Sequence, residues 1–187
     1  MTILHTNERT TFLAAAGSGA AAWFGFSAFP PMQVRVGRDL VNEWVPPHYQ
    51  AAAFPAFGAL LYTLWNDRHR RNAPWVGRLA ILAATSTVAI TRLAGLHPLS
   101  GHAVFLAAVA TFECPPFSPN SPPQAHKQTP QSTRPTIHRS PTLFMSAALG
   151  LAITAVYKVK WEDTIWGTAS VAAGVAIGAC ARRVAAT

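Results

Sequence analysis

Four consecutive residues, Leu99-Ser100-Gly101-His102, stand at the mouth of an apolar segment and place His102 five residues after His97 and ten after Arg92. Imidazole titrates near neutral pH and moves protons, guanidinium groups neutralise oxyanions, and a Ser-Gly turn offers backbone N–H donors. Together these are the parts of a phosphate site. A second set, Lys158, Lys160, Glu162 and Asp163, precedes the last apolar segment and adds cations and a carboxylate. A different chemistry is metal or haem ligation by His48, His97 and His102, with Glu43 or Asp163 accepting from the other ring nitrogen. The five-residue spacing of His97 and His102, interrupted by Pro98, favours loop histidines over ligands. No metal and no cofactor is expected.

The elements that must position these residues are apolar. Half of the 187 residues are hydrophobic and 12% are charged, against about a quarter in soluble domains. The charges cluster between Ala/Gly/Leu/Val runs, as in a polytopic membrane protein. The net charge of +8 comes without a basic stripe interleaved with aromatics, so no nucleic-acid partner is expected. Hydropathy predicts six spans: Thr11–Phe29, Tyr49–Trp65, Trp75–Leu96, Ser100–Phe112, Leu143–Tyr157 and Thr164–Ala181. The first is read as an uncleaved span rather than a signal peptide, because its stretch is long for an h-region and no clean A-x-A site follows it before Pro30-Pro31. In the third, only 13 residues separate Arg78 from Arg92, so both arginines are expected to snorkel to opposite headgroup layers. No acidic residue is expected deep in any span. Gly174 and Gly178 in the sixth span should admit a neighbouring helix of the same chain.

Charge sets the orientation. With both termini cytoplasmic, Arg68, Arg70, Arg71, Lys127, Arg134, Arg139, Arg182 and Arg183 all fall inside, as the positive-inside rule requires. The outer loops balance Arg35 and Arg38 with Asp39 and Glu43, and Lys158 and Lys160 with Glu162 and Asp163. Residues 1–113 then hold four spans and 143–187 two, within one membrane domain. Between them, 114–142 contains eight of the fifteen prolines and no periodic apolar residues, so it reads as a disordered inner-face linker without chemistry. Cys114 and Cys180 form no metal or disulfide pattern, and Cys180 is expected as a buried free thiol.

On this topology the two polar sets share the outer face. Leu99-Ser100-Gly101-His102-Ala103 resembles the Pro-Ser-Gly-His-Ala signature of the type 2 phosphatidic acid phosphatases, and Trp161-Glu162-Asp163-Thr164-Ile165-Trp166-Gly167 is similar to that family's third motif. The resemblance covers roughly residues 92–178 and implies a six-helix all-α membrane bundle acting on a lipid phosphate at the outer face. It implies that His102 protonates the leaving alcohol, that Ser100 and Gly101 hold phosphate oxygens, and that Asp163 orients the nucleophile. Arg92, Lys158 and Lys160 are the phosphate-binding cations. The chain departs from the family where Val159 stands at the place of the nucleophilic histidine and Ile153 at that of an arginine, and the first motif's lysine and Arg-Pro pair are missing. Without a nucleophile no phosphohistidine forms; His97 is the substitute base. Membrane lipids are the expected partners. The readings from other classes are a non-enzymatic membrane subunit, a small transporter, and the His-ligated subunit above.

Overall fold

The computed structural model describes residues 2–28, 33–36, 39–42, 47–68, 73–115, 139–160 and 164–186. Its regular structure is almost entirely helical: α1 (Thr2–Ala28), α2 (Pro47–Ala51), α3 (Phe54–Asp67), α4 (Ala73–Leu93), α5 (Gly101–Glu113), α6 (Pro141–Lys160) and α7 (Thr164–Ala186). Where a plain loop was expected after the first helix, a short antiparallel hairpin forms from β1 (Gln33–Val36) and β2 (Asp39–Asn42), pairing Val36 with Asp39. The expected second span is divided: α2 ends at Ala51 and α3 begins at Phe54, with Pro55 in its first turn. A proline is tolerated there because first-turn N–H groups have no intrahelical acceptor.

Three helices, Pro74–Leu93, Pro141–Val159 and Thr164–Ala186, are long and apolar enough to cross a membrane. No more than 28% of each apolar window is buried inside the chain. Ile90, Leu93, Leu149, Val156 and Ile165 point outward, and such a surface calls for lipid rather than water. The protein is therefore a helical membrane protein by length, composition and exposure.

At the centre lies α5, which packs against α4, α6 and α7. Ala103 through Val109, with Phe112, are buried along it on every side. A helix that is apolar all round and enclosed by neighbours is the core of the bundle. Its 13 residues extend only about 20 Å, less than the ~30 Å of a bilayer's hydrocarbon, so both of its ends lie below the level reached by the longer helices. Close approach of α7 depends on the small residues expected for it. A Cβ at Gly174 would collide with the Val104 carbonyl, and one at Gly178 would meet the Ala108 carbonyl at 2.5 Å.

Both connections to α5 are defined by their hydrogen bonds. α4 ends in a Schellman motif: Leu96 N–H donates to the Thr91 carbonyl at 3.0 Å and Gly95 N–H to Arg92 at 2.9 Å, with Gly95 at φ +75°. Pro98 follows, where the helix cannot resume. At the other end, Ser140 caps α6 by accepting from Leu143 N–H at 3.3 Å. The helix thus starts at Pro141, inside the stretch read as linker, and 114–115 and 139–140 are described as well; the middle of that stretch, 116–138, lies outside the described residues.

Candidate functional site

His102 sits in the first turn of α5, one residue after Gly101, where the helix presents N–H groups without intrahelical acceptors. The last turn of α4 brings Arg92 to the same end of the bundle, and the last turns of α6 bring Lys158. Both cations act electrostatically on the His102 ring, which donates a hydrogen bond to the Gln50 carbonyl in α2. Tyr49 lies beside the imidazole at 6.1 Å between centroids and stacks on Tyr157 at 3.8 Å. Neither tyrosine nor Gln50 was singled out from sequence. The available signal was position alone: Tyr157 directly precedes Lys158, and Tyr49 opens the second span.

The turn between α4 and α5 is tightly braced. Arg92 donates from Nη1 to the Leu99 carbonyl at 2.8 Å, and Leu99 N–H donates to His97 Nδ1 at 3.2 Å. The Thr91 hydroxyl donates back to the Thr87 carbonyl at 2.7 Å, so the 2.8 Å contact between Thr91 Oγ1 and His97 Nε2 has the ring as donor. A His97 ring with a proton on Nε2 and a lone pair on Nδ1 matches both of its contacts. Both ring nitrogens of His97 thus brace the turn between α4 and α5.

Ser100 occupies the N-cap position in extended conformation, yet its hydroxyl makes no capping bond. It is buried, and its N–H donates to Ser170 Oγ on α7 at 2.8 Å. The Ser100 N–H is thus committed to the α5–α7 contact, which leaves the following amides of Gly101 and His102 as the backbone donors of the turn. Gly101 is not sterically required, since a Cβ there meets only Ala89 at an ordinary 3.7 Å. Lys158 packs its aliphatic stem near Gly167 at the start of α7. Lys160 ends α6; its side chain, and Asp163 altogether, lie outside the described residues. His48 is exposed on α2, and no group of three His, Cys, Asp or Glu side chains that could hold a metal occurs among the described residues.

The opposite end of α5 carries a different constellation. Arg78, expected at the headgroups, is buried instead: its Nε donates to Glu113 Oε1 at 2.8 Å and its Nη1 to Asp67 at 3.2 Å. Glu113, an acid inside the bundle where none was expected, accepts from Ser140 N–H at 2.9 Å with its second oxygen. One oxygen of Glu8, from α1, accepts from the hydroxyls of Ser140 (3.2 Å) and Thr142 (2.7 Å). Arg182 donates to the carbonyls of Phe112 (3.1 Å) and Cys114 (2.8 Å), and Arg139 donates to the Cys114 carbonyl as well. Burial, then the charge of Arg182, holds the Arg139 guanidinium below arginine's ordinary pKa. Arg78 turns inward because two carboxylates meet it there, and a charge paired in a buried site needs no route to water. Cys180 corrects a second expectation, being free but exposed on α7 rather than buried.

No protein-family model matches the chain, and no curated protein or solved structure matches it either.

Proposed function

We propose that the chain is a six-span membrane protein that binds the phosphate group of a lipid at the Arg92–His102–Lys158 end of the bundle, as a type 2 phosphatidic acid phosphatase-like protein lacking covalent catalysis. What supports this reading is that Arg92 at the end of α4 and Lys158 near the end of α6 both act electrostatically on the His102 ring in the first turn of α5. Guanidinium, ammonium and helix N-terminal N–H groups are donors an anionic phosphate takes, and the His102 ring adds a second N–H only when a proton joins it beside the anion. Asp163 is the residue expected to orient a reacting group. Val159, largely exposed, stands where the family has its nucleophile, so the proposal is for binding and not turnover. Both termini lie on the cytoplasmic side, which puts Arg68, Arg139, Arg182 and Arg183 there and the phosphate site on the outer side.

The test is reconstitution into liposomes of phosphatidylcholine containing phosphatidate or an isoprenyl diphosphate, with retention of the phospholipid and release of phosphate both measured. Phosphatidate should be retained over phosphatidylcholine, retention should fall in His102→Ala and Arg92→Gln, and no phosphate should be released. Release that disappears in His102→Ala would establish a phosphatase with another nucleophile. Equal retention of both lipids would sink the site and leave a non-enzymatic membrane subunit.

A further inference from the structure

An open groove of about 570 Å³ runs along the α3–α4 hairpin, lined by Leu61, Leu64, Trp65, Trp75 and Leu79, with Arg68 among its walls. It lies at the far end of α4 from Arg92, about 25 Å of helix away from Trp75. We propose that this groove is a binding site for one anionic phospholipid, separate from the site at His102, with an acyl chain along the leucines and the phosphodiester on Arg68. Three observations converge on that occupant. First, Trp75 is held as a groove wall by its indole N–H, which donates to the Leu64 carbonyl at 3.1 Å, while Leu61, Trp65 and Leu79 remain exposed. Tryptophans at the end of a membrane helix mark the headgroup level.

Second, the Arg68 guanidinium is positioned rather than free to sweep. It lies 3.8 Å above the Trp65 ring, and its Nη1 donates to the Trp65 carbonyl at 2.8 Å. A guanidinium has five N–H donors in a planar fork, so this anchoring leaves others directed away from the ring for phosphate oxygens. Third, among the described residues Arg68 has no carboxylate partner: the neighbouring Asp67 carboxylate is taken by Arg78. An exposed cation over an apolar trough is complementary to a lipid with a negative headgroup, and not to a zwitterionic one to the same degree. The surface commits to a lipid rather than free phosphate because the groove below the cation is apolar.

Native mass spectrometry of the full chain in detergent, titrated with phosphatidylglycerol or phosphatidylcholine of identical acyl chains, decides the matter. Phosphatidylglycerol should be retained more tightly, and Arg68→Gln should lower its retention by about fivefold, toward that of phosphatidylcholine. Leu61→Ser combined with Leu79→Ser should weaken both lipids alike. Equal retention of the two lipids by the wild-type chain, or an undiminished preference in Arg68→Gln, would overturn the proposal. Arg92→Gln serves as the second arm. Adding Arg68→Gln to it should lower phosphatidylglycerol retention by the same factor as in the wild-type chain, and a preference abolished by Arg92→Gln alone would place the lipid at the other end of the bundle. Because phosphatidylglycerol carries a diester and not a terminal phosphate, this result stands apart from the phosphatidate test.

Discussion

His102 and Glu113 stand about 17 Å apart along one buried helix, and the two ends they mark treat charge in opposite ways. At the Glu113 end, acids and arginines alternate: Arg78 lies between Asp67 and Glu113, and Glu113 shares itself between Arg78 and the start of α6. Every oxygen of Glu113 is satisfied from within. At the His102 end the described charges are all of one sign, Arg92 and Lys158 beside an imidazole, and Arg92 is steadied by a backbone carbonyl instead of a carboxylate. Low dielectric makes an internally paired cluster a structural joint and makes a cluster of like charges a place that gains most from an added anion. The joint connects α1, α3, α4, α5 and α6. The like-charged end is the one proposed to bind phosphate.

The largest effect should come from the joint. Arg78→Met leaves Glu113 buried without its cation, and stability should fall by about 3–5 kcal/mol in detergent unfolding curves. Adding Glu113→Leu and Asp67→Asn should restore much of that loss, because the uncompensated charge and not the missing bond carries most of the cost. If the single variant unfolds like wild type, the contrast between the two ends has no energetic content. A smaller loss is expected where α7 meets α5. Gly174→Ala drives a methyl group into the Val104 carbonyl, and overpacking of this kind costs about 1–3 kcal/mol. Gly17→Ala on α1 meets nothing within 4 Å and is the matched control, with a neutral or slightly stabilising outcome. Equal behaviour of the two glycine variants would mean that α7 does not hold α5 as closely as the structure has it.

How much of this was legible in the sequence follows the range of the forces involved. Helix positions were legible because apolar runs, Pro98 and Gly95 act locally; α4, α5, α6 and α7 begin within two residues of the expected spans. So was the approach of α7 through Gly174 and Gly178, since small residues four apart share a face. The burial of Arg78 was not, because its cause lies 35 residues away in Glu113 and 11 away in Asp67. A signal was nonetheless present: an arginine near the start of one span and a glutamate at the end of the next fall at one depth in antiparallel helices. At the other end, His102 and Arg92 could be placed together by topology, whereas the brace through His97 depends on a tautomer that only the Thr91 and Leu99 contacts define. Tyr49 and Tyr157 meet because α2 turns in before α3, a break that hydropathy averaged over one span does not register.

Beyond the neutral Gly17 control, the smallest stability effect belongs to the end proposed to bind phosphate. His102→Ala removes one hydrogen bond to the Gln50 carbonyl and a half-buried ring beside Tyr49, on a helix whose core residues begin only at Ala103. A single such bond contributes about 1 kcal/mol, and the loss should not exceed that by much. The same substitution removes from the proposed site the one ring on which Arg92 and Lys158 both act. Stability should therefore change little while phosphatidate retention in liposomes falls, the reverse of Arg78→Met, which should unfold the bundle before any ligand is tested. If His102→Ala instead destabilises as severely as Arg78→Met, with retention unaffected in whatever folded protein survives, then both ends of α5 are joints and the phosphate reading of its N-terminus is lost.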